Sequence, residues 1–146
     1  MSSLASLFQG VNFQHTIRRY CDQIGWRVRE LSDNKAVLGF NMKSGRTQTL
    51  YILSYETTLE FSVPSGLSFD ADDDIPHVLS TLLLKRNAEA KIGFWCIEQI
   101  GSKYVYSCMH NAEMSLLDTD YFGRIVVRLV EECDDFEGVL LRMIRG

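Results

Sequence analysis

Side chains able to do chemistry are few in this chain, and their spacing does not assemble them. The three histidines, His15, His77 and His110, share no H-x-x-H, H-E-x-x-H or H-x-E context. Cys21, Cys96, Cys108 and Cys133 contain no C-x-x-C pair, the spacing that a structural zinc site or a thioredoxin-like centre needs. Asp70, Asp72 and Asp74 imitate the first three ligand positions of a calcium loop. The position that needs glycine for a sharp turn is Ile75, however, and the bidentate glutamate is replaced by Thr81. These aspartates read instead as negative charge at the positive end of a helix. Phosphate-cradling glycine loops and a G-x-S-x-G nucleophile elbow are absent. Glu131, Glu132, Asp134, Asp135 and Glu137 flank an apolar stripe and read as the solvated side of a helix. No catalytic residue, metal or cofactor is expected.

The elements that would carry these residues follow from periodicity. Phe13, Ile17, Tyr20, Cys21 and Ile24 recur at helical spacing, with Asn12 as N-cap and Gly25 as C-cap. Leu4, Leu7, Phe8 and Val11 suggest a short preceding turn broken at Gly10. Strand-like runs follow at residues 26–31, 36–42, 47–55 and 59–63, and Pro64-Ser65-Gly66 closes the meander. A second helix starts near Asp74, with Pro76 in its first turn and Val78, Leu79, Leu82 and Leu83 as its buried stripe. Residues 91–100 and 103–110 form a hairpin around Gly101-Ser102. Asp118 caps a final helix over 119–145, in which Gly138 is a candidate kink. The order is α-ββββ-α-ββ-α. This is an α+β fold, an antiparallel meander with helices on one face.

Composition sets the class. At roughly 150 residues per domain, 146 residues predict a single α+β domain over 1–146. A chain of this size buries roughly 68% of its surface, enough for a core without staples. Fifteen Lys and Arg against 19 Asp and Glu give a net charge of −4. The densest basic groups are only Arg18-Arg19 and Lys85-Arg86, so neither nucleic acid nor an anionic membrane is an expected partner. No apolar run approaches the ~18–20 residues of a membrane span. The N-terminus lacks a secretory pattern and has Ser2 where myristoylation needs glycine, so a cytoplasmic location is expected. The cysteines are expected as buried, reduced thiols, and a Cys96–Cys108 cross-strand disulfide would require an oxidising compartment.

The element order carries a resemblance, together with the helix end Ile24-Gly25-Trp26, the run Ala36-Val37-Leu38-Gly39-Phe40, the stretch from Leu59 to Ser65 and the long final helix. Over residues 12–146 the chain resembles the superfamily that unites type III secretion chaperones with the YbjN-type bacterial sensory transduction regulators. The resemblance implies a small α+β protein that dimerises and binds rather than catalyses. Secretion chaperones of that superfamily hold an extended segment of a client polypeptide.

The expectation is therefore a non-enzymatic, chaperone-like or regulatory interaction module, a homodimer that binds a polypeptide segment. Its route would be apolar pockets on a sheet face plus main-chain pairing along a strand edge. The candidate contacts are Trp95, Ile97, Tyr104 and Tyr106, with Tyr51 and Tyr55 second; core packing is the competing role for these aromatics. Val127 and Val130 are candidate dimer contacts on the last helix. The alternative is a small-molecule-binding or catalytic domain whose site is assembled only in three dimensions, marked by a concave pocket with convergent polar groups.

Overall fold

The computed structural model describes residues 3–145. Helix α1 (Ser3–Ile24) precedes strands β1 (Glu30–Leu31), β2 (Lys35–Asn41), β3 (Thr47–Tyr55) and β4 (Thr58–Phe69). Helix α2 (His77–Glu89), strands β5 (Phe94–Ile100) and β6 (Lys103–Glu113) and helix α3 (Thr119–Arg145) complete the chain. The six strands form one antiparallel sheet in the order β1-β2-β3-β4-β6-β5. After the four-strand meander, α2 carries the chain to the far edge, where β5 is laid down. β6 then returns between β5 and β4.

Register separates the two faces. On one side, Leu38, Leu50, Ile52, Leu59, Phe61 and Val63 are fully or almost fully buried beneath Phe13 and Ile17 of α1 and Phe122, Ile125, Leu129 and Phe136 of α3. Phe61 and Phe122 meet edge to face at 5.8 Å, a favoured aromatic geometry. On the other side no helix of the described residues packs. There a single row of paired residues, Val37, Tyr51, Ser62, Met109 and Phe94, crosses five strands.

Several boundaries differ from the sequence expectation. α1 runs unbroken through Gly10 and Asn12. Gly10 lies against Asp33, where an added Cβ would sit 2.9 Å from that residue's Cβ, so close approach explains the glycine. Asn12 is interior to the helix, and its amide donates to the Met114 sulfur. The packing of Leu7, Phe8 and Val11 and the structure of Met1 and Ser2 lie outside the described residues. β1 is only two residues, although the Arg29 amide still donates to Val37 O at 2.8 Å.

Pro64-Ser65-Gly66 does not end β4. The strand continues to Phe69 through a bulge, in which four steps along β4, from Pro64 to Ser68, span two along β6, from Ser107 to Val105. A bulge is where an interior strand tolerates a proline. α2 begins at His77, because Asp72–Asp74 form a separate 3-10 turn and Pro76 is the cap residue. Its Val78 is exposed, and Leu83 is the one fully buried member of the expected stripe. α3 continues through Gly138 without a break, with the Arg46 guanidinium lying close against that glycine.

Candidate functional site

β5 pairs only with β6, so among the described residues its other edge is free of any strand. That edge is partly guarded. Asn87 of α2 accepts from the Trp95 amide at 2.6 Å and donates to the Trp95 carbonyl at 3.1 Å. One carboxamide thus reproduces the pair of bonds a neighbouring strand would make. Because Trp95 turns both backbone groups outward, the alternation of an antiparallel ladder turns those of Ile97 and Gln99 outward as well. No described side chain bonds these groups, and Ile97 itself is 45% exposed. The guard therefore stops after one residue, and the next two outward positions remain open.

The start of β5 is held rigidly. Glu132 of α3 accepts from Arg86 at 2.8 and 2.5 Å and from the Trp95 indole at 2.8 Å. This carboxylate joins α2, α3 and β5 at one point. Trp95 packs on Phe136 at a centroid distance of 4.8 Å, and Tyr106 bonds Ser80 of α2 at 2.8 Å. A second network fixes the β2–β3 hairpin to α3. Buried Asp134 accepts from Ser44, the Arg46 Nε and Gln48 at 3.0–3.2 Å.

The expected contact residues divide between the two faces. Trp95, Ile97, Tyr104 and Tyr106 lie on the helix side, through the pairs Trp95–Cys108, Ile97–Tyr106 and Gln99–Tyr104. Trp95 is 5% exposed and Tyr106 2%, so both are core and support the edge from beneath rather than present a surface. α2 and α3 close over them, which strand alternation alone does not reveal. Tyr104 is half-buried and Ile97 remains accessible. Tyr51 and Tyr55 lie on the uncovered face. Tyr51 is half-buried beneath the Lys35 ammonium, 5.6 Å from its ring centre, and Tyr55 is exposed. Val130 is 4% exposed because it shares a side of α3 with Val126 and Cys133; Val127 faces outward.

The reactive groups are held in quiet states. Cys96 and Cys108 point to opposite faces of the sheet, since Cys96 pairs with Ser107 and Cys108 with Trp95. No disulfide can join them. Burial pushes the Cys21 and Cys96 thiols up to about 11 and that of Cys108 to about 12. Cys133 is raised further by burial and by Glu137. Such thiols stay protonated near neutral pH and are poor nucleophiles. Burial lowers the pKa of His110. In its neutral form Nδ1 accepts from the Gly93 amide at 3.1 Å, and Nε2 faces the Tyr121 hydroxyl at 3.1 Å. Both ring nitrogens are thus engaged in holding the β5 approach to α3.

A cavity of about 480 Å³ opens between the end of α2, the start of β5 and α3. Arg86, Lys91, Arg124, Arg128, Glu131 and Asp135 line it, a mixed-charge wall unlike the mainly apolar lining of small-molecule sites. Among the described residues no three His, Cys, Asp or Glu gather as metal ligands. No helix among them is long and apolar enough to cross a membrane.

Neither a protein-family model nor a curated protein matches the chain in sequence. A solved structure of the HopA1–SchA chaperone–effector complex does match in fold. The TM-score is 0.61 at 9% identity, over 92% of this chain and 97% of that one. The fold is type III secretion chaperone-like. At that identity the likeness establishes architecture and transfers no residue's role.

Two features at the site escaped the sequence reading. Asn87 has no signal in sequence, because its function arises from α2 lying beside β5. Glu60 and Glu98 fall on alternating positions of their strands, but only the sheet order reveals that they share one region.

Proposed function

We propose that this protein is a non-enzymatic interaction module that binds a polypeptide segment, chaperone-like in mode. The fold it shares with a chain of a chaperone–effector complex carries this reading. The half-guarded edge of β5 supports it with a physical route. An extended segment can add to the sheet at Ile97 and Gln99, gaining main-chain hydrogen bonds there and side-chain contacts with Ile97 and Tyr104. Asn87 then fixes the register, since an incoming strand must stop before Trp95.

We further propose a homodimer formed through the outward face of α3 at Val127, and a cytoplasmic location. A regulatory role like that of the YbjN-type family belongs to the same reading. Chaperone-like binding of this kind calls for no catalytic group.

The test is native mass spectrometry of the full chain captured from its host's extract, beside an Ile97→Pro variant. Proline removes one outward N–H without touching the ladder to β6. The reading expects a dimer carrying a polypeptide of defined mass, lost from the variant. A bare monomer, or equal loading of both proteins, contradicts it.

A further inference from the structure

On the uncovered face of the sheet the Lys35 ammonium is held over Tyr51, and two carboxylates stand outside the ion pairs of the described residues. Glu60 stands on β4 and Glu98 on β5, with β6 between them. Strands two apart are separated by roughly 9–10 Å. Glu98 nevertheless reaches across, accepting from the Ser62 hydroxyl of β4 at 2.8 Å. Its carboxylate is thereby delivered beside Glu60, two residues along the same strand. Burial, and then the charge of Glu98, raises the pKa of Glu60. The ion pairs among the described residues, Arg46–Asp134, Arg86–Glu132 and Lys103–Asp70, leave both carboxylates without a cation.

The surroundings are apolar. Met109 and Phe94 lie to one side, with the Cys96 sulfur 3.2 Å from that of Met109, and Tyr51 and Leu53 lie to the other. On the same face, in register with Cys96 and Pro64, the Ser107 hydroxyl is fully buried and has no hydrogen-bond partner among the described residues. Like charges gathered on a sheet face oppose folding, and a half-apolar setting sharpens the opposition. The isolated chain gains the Ser62 hydrogen bond from the arrangement but not a counter-charge, which a cationic partner would supply.

We propose that this face docks a polypeptide segment presenting a lysine or arginine to Glu60 and Glu98, with apolar side chains on either side. The free Oε2 of Glu98 and both oxygens of Glu60 are the acceptors for that cation. Half-buried Tyr51 and Leu53 on one flank, and exposed Phe94 on the other, receive the apolar neighbours, while Met109 is buried between Ser62 and Phe94. A second copy of this chain is a poorer occupant, because a two-fold face-to-face contact centred here would set four carboxylates against one another. The proposal rests on the reading of the chain as a polypeptide binder and adds a second surface, on the sheet face rather than at the β5 edge, with the chemistry it recognises.

The experiment pans a random displayed peptide library against the full chain and against the Glu60→Gln/Glu98→Gln double variant. The carboxamide introduced at position 98 can still accept from Ser62, so the local fold is retained. Thermal melting should show the double variant at least as stable as the parent. The expected result is enrichment of a basic residue at a fixed position between apolar ones on the parent alone. One enriched peptide, synthesised, should bind the double variant about tenfold more weakly. Enriched peptides with no basic position, or equal binding to both proteins, overturn this proposal and leave polypeptide binding standing. Enrichment on neither protein overturns both. Self-association that strengthens in the double variant assigns the face to a second copy and also overturns the proposal.

Discussion

The two faces of one sheet solve different problems. On the helix side, side chains from three helices and six strands interlock around Phe61 and Phe122, and the polar groups that enter are matched. Glu132 takes Arg86 and Trp95, and Asp134 takes Ser44, Arg46 and Gln48. On the other side, a row of side chains crosses five strands with no described layer above it, and two carboxylates have no ion-pair partner among the described residues. The difference separates what holds the chain together from what is left to meet a partner. Buried groups that are satisfied stabilise a fold. Groups left unmatched on an open face cost stability and point outward to a complement.

That contrast can be broken most forcefully at Trp95. Replacing it with alanine empties space against Phe136 and removes the indole bond to Glu132, so stability should fall by about 3–5 kcal/mol in denaturant titration. A near-neutral result would mean that Trp95 is a surface residue after all. Asp134→Ala comes next. It removes the carboxylate that Ser44, Arg46 and Gln48 share and should lower stability by about 2 kcal/mol, a moderate figure because Arg46 keeps the Asp134 carbonyl and partial access to water and Gln48 keeps Glu137.

A smaller effect concerns pH. The folded pKa of His110 lies below its ordinary value, so the unfolded chain binds the extra proton first. Its contribution is present above about pH 6.5 and is lost as pH falls through that value toward the folded pKa. The denaturation midpoint should drop between pH 7 and pH 5, and less so in His110→Gln. Equal drops in both proteins would remove His110 as the cause. On the uncovered face, Tyr55→Ser should change stability by no more than about 0.5 kcal/mol, checked by the same titration. A larger loss would give that face a structural role and blur the contrast between the two sides.

Much of the architecture was legible in the sequence, because strand alternation and the three-and-four spacing of Phe122, Ile125, Val126, Leu129 and Cys133 are local signals. The α-ββββ-α-ββ-α order and the helices on one face follow from them. The misreadings share a different origin. Gly10 and Gly138 looked like helix breaks, yet both helices run through them; Asp33 lies close enough to explain the glycine at position 10, and at position 138 the Arg46 guanidinium lies alongside. Pro64 looked like a strand end, and a bulge against β6 absorbs it. The site suffered more, for the same reason. Alternation assigns Trp95 and Tyr51 to strands but does not say which face the helices cover, nor that Asn87 lies beside Trp95.

The central claim, that the edge of β5 beyond Asn87 receives an added strand, is tested most directly by residue-resolved amide hydrogen exchange. The comparison is the full chain alone and bound to a peptide selected by display on the Glu60→Gln/Glu98→Gln variant, which leaves the β5 edge unchanged. In the free chain the amides of Ile97 and Gln99 should exchange quickly, while those of Cys96 and Glu98, paired to β6, stay protected. With the peptide bound, Ile97 and Gln99 should become protected and the others should not change. Fast exchange at both positions in the saturated complex would contradict the account.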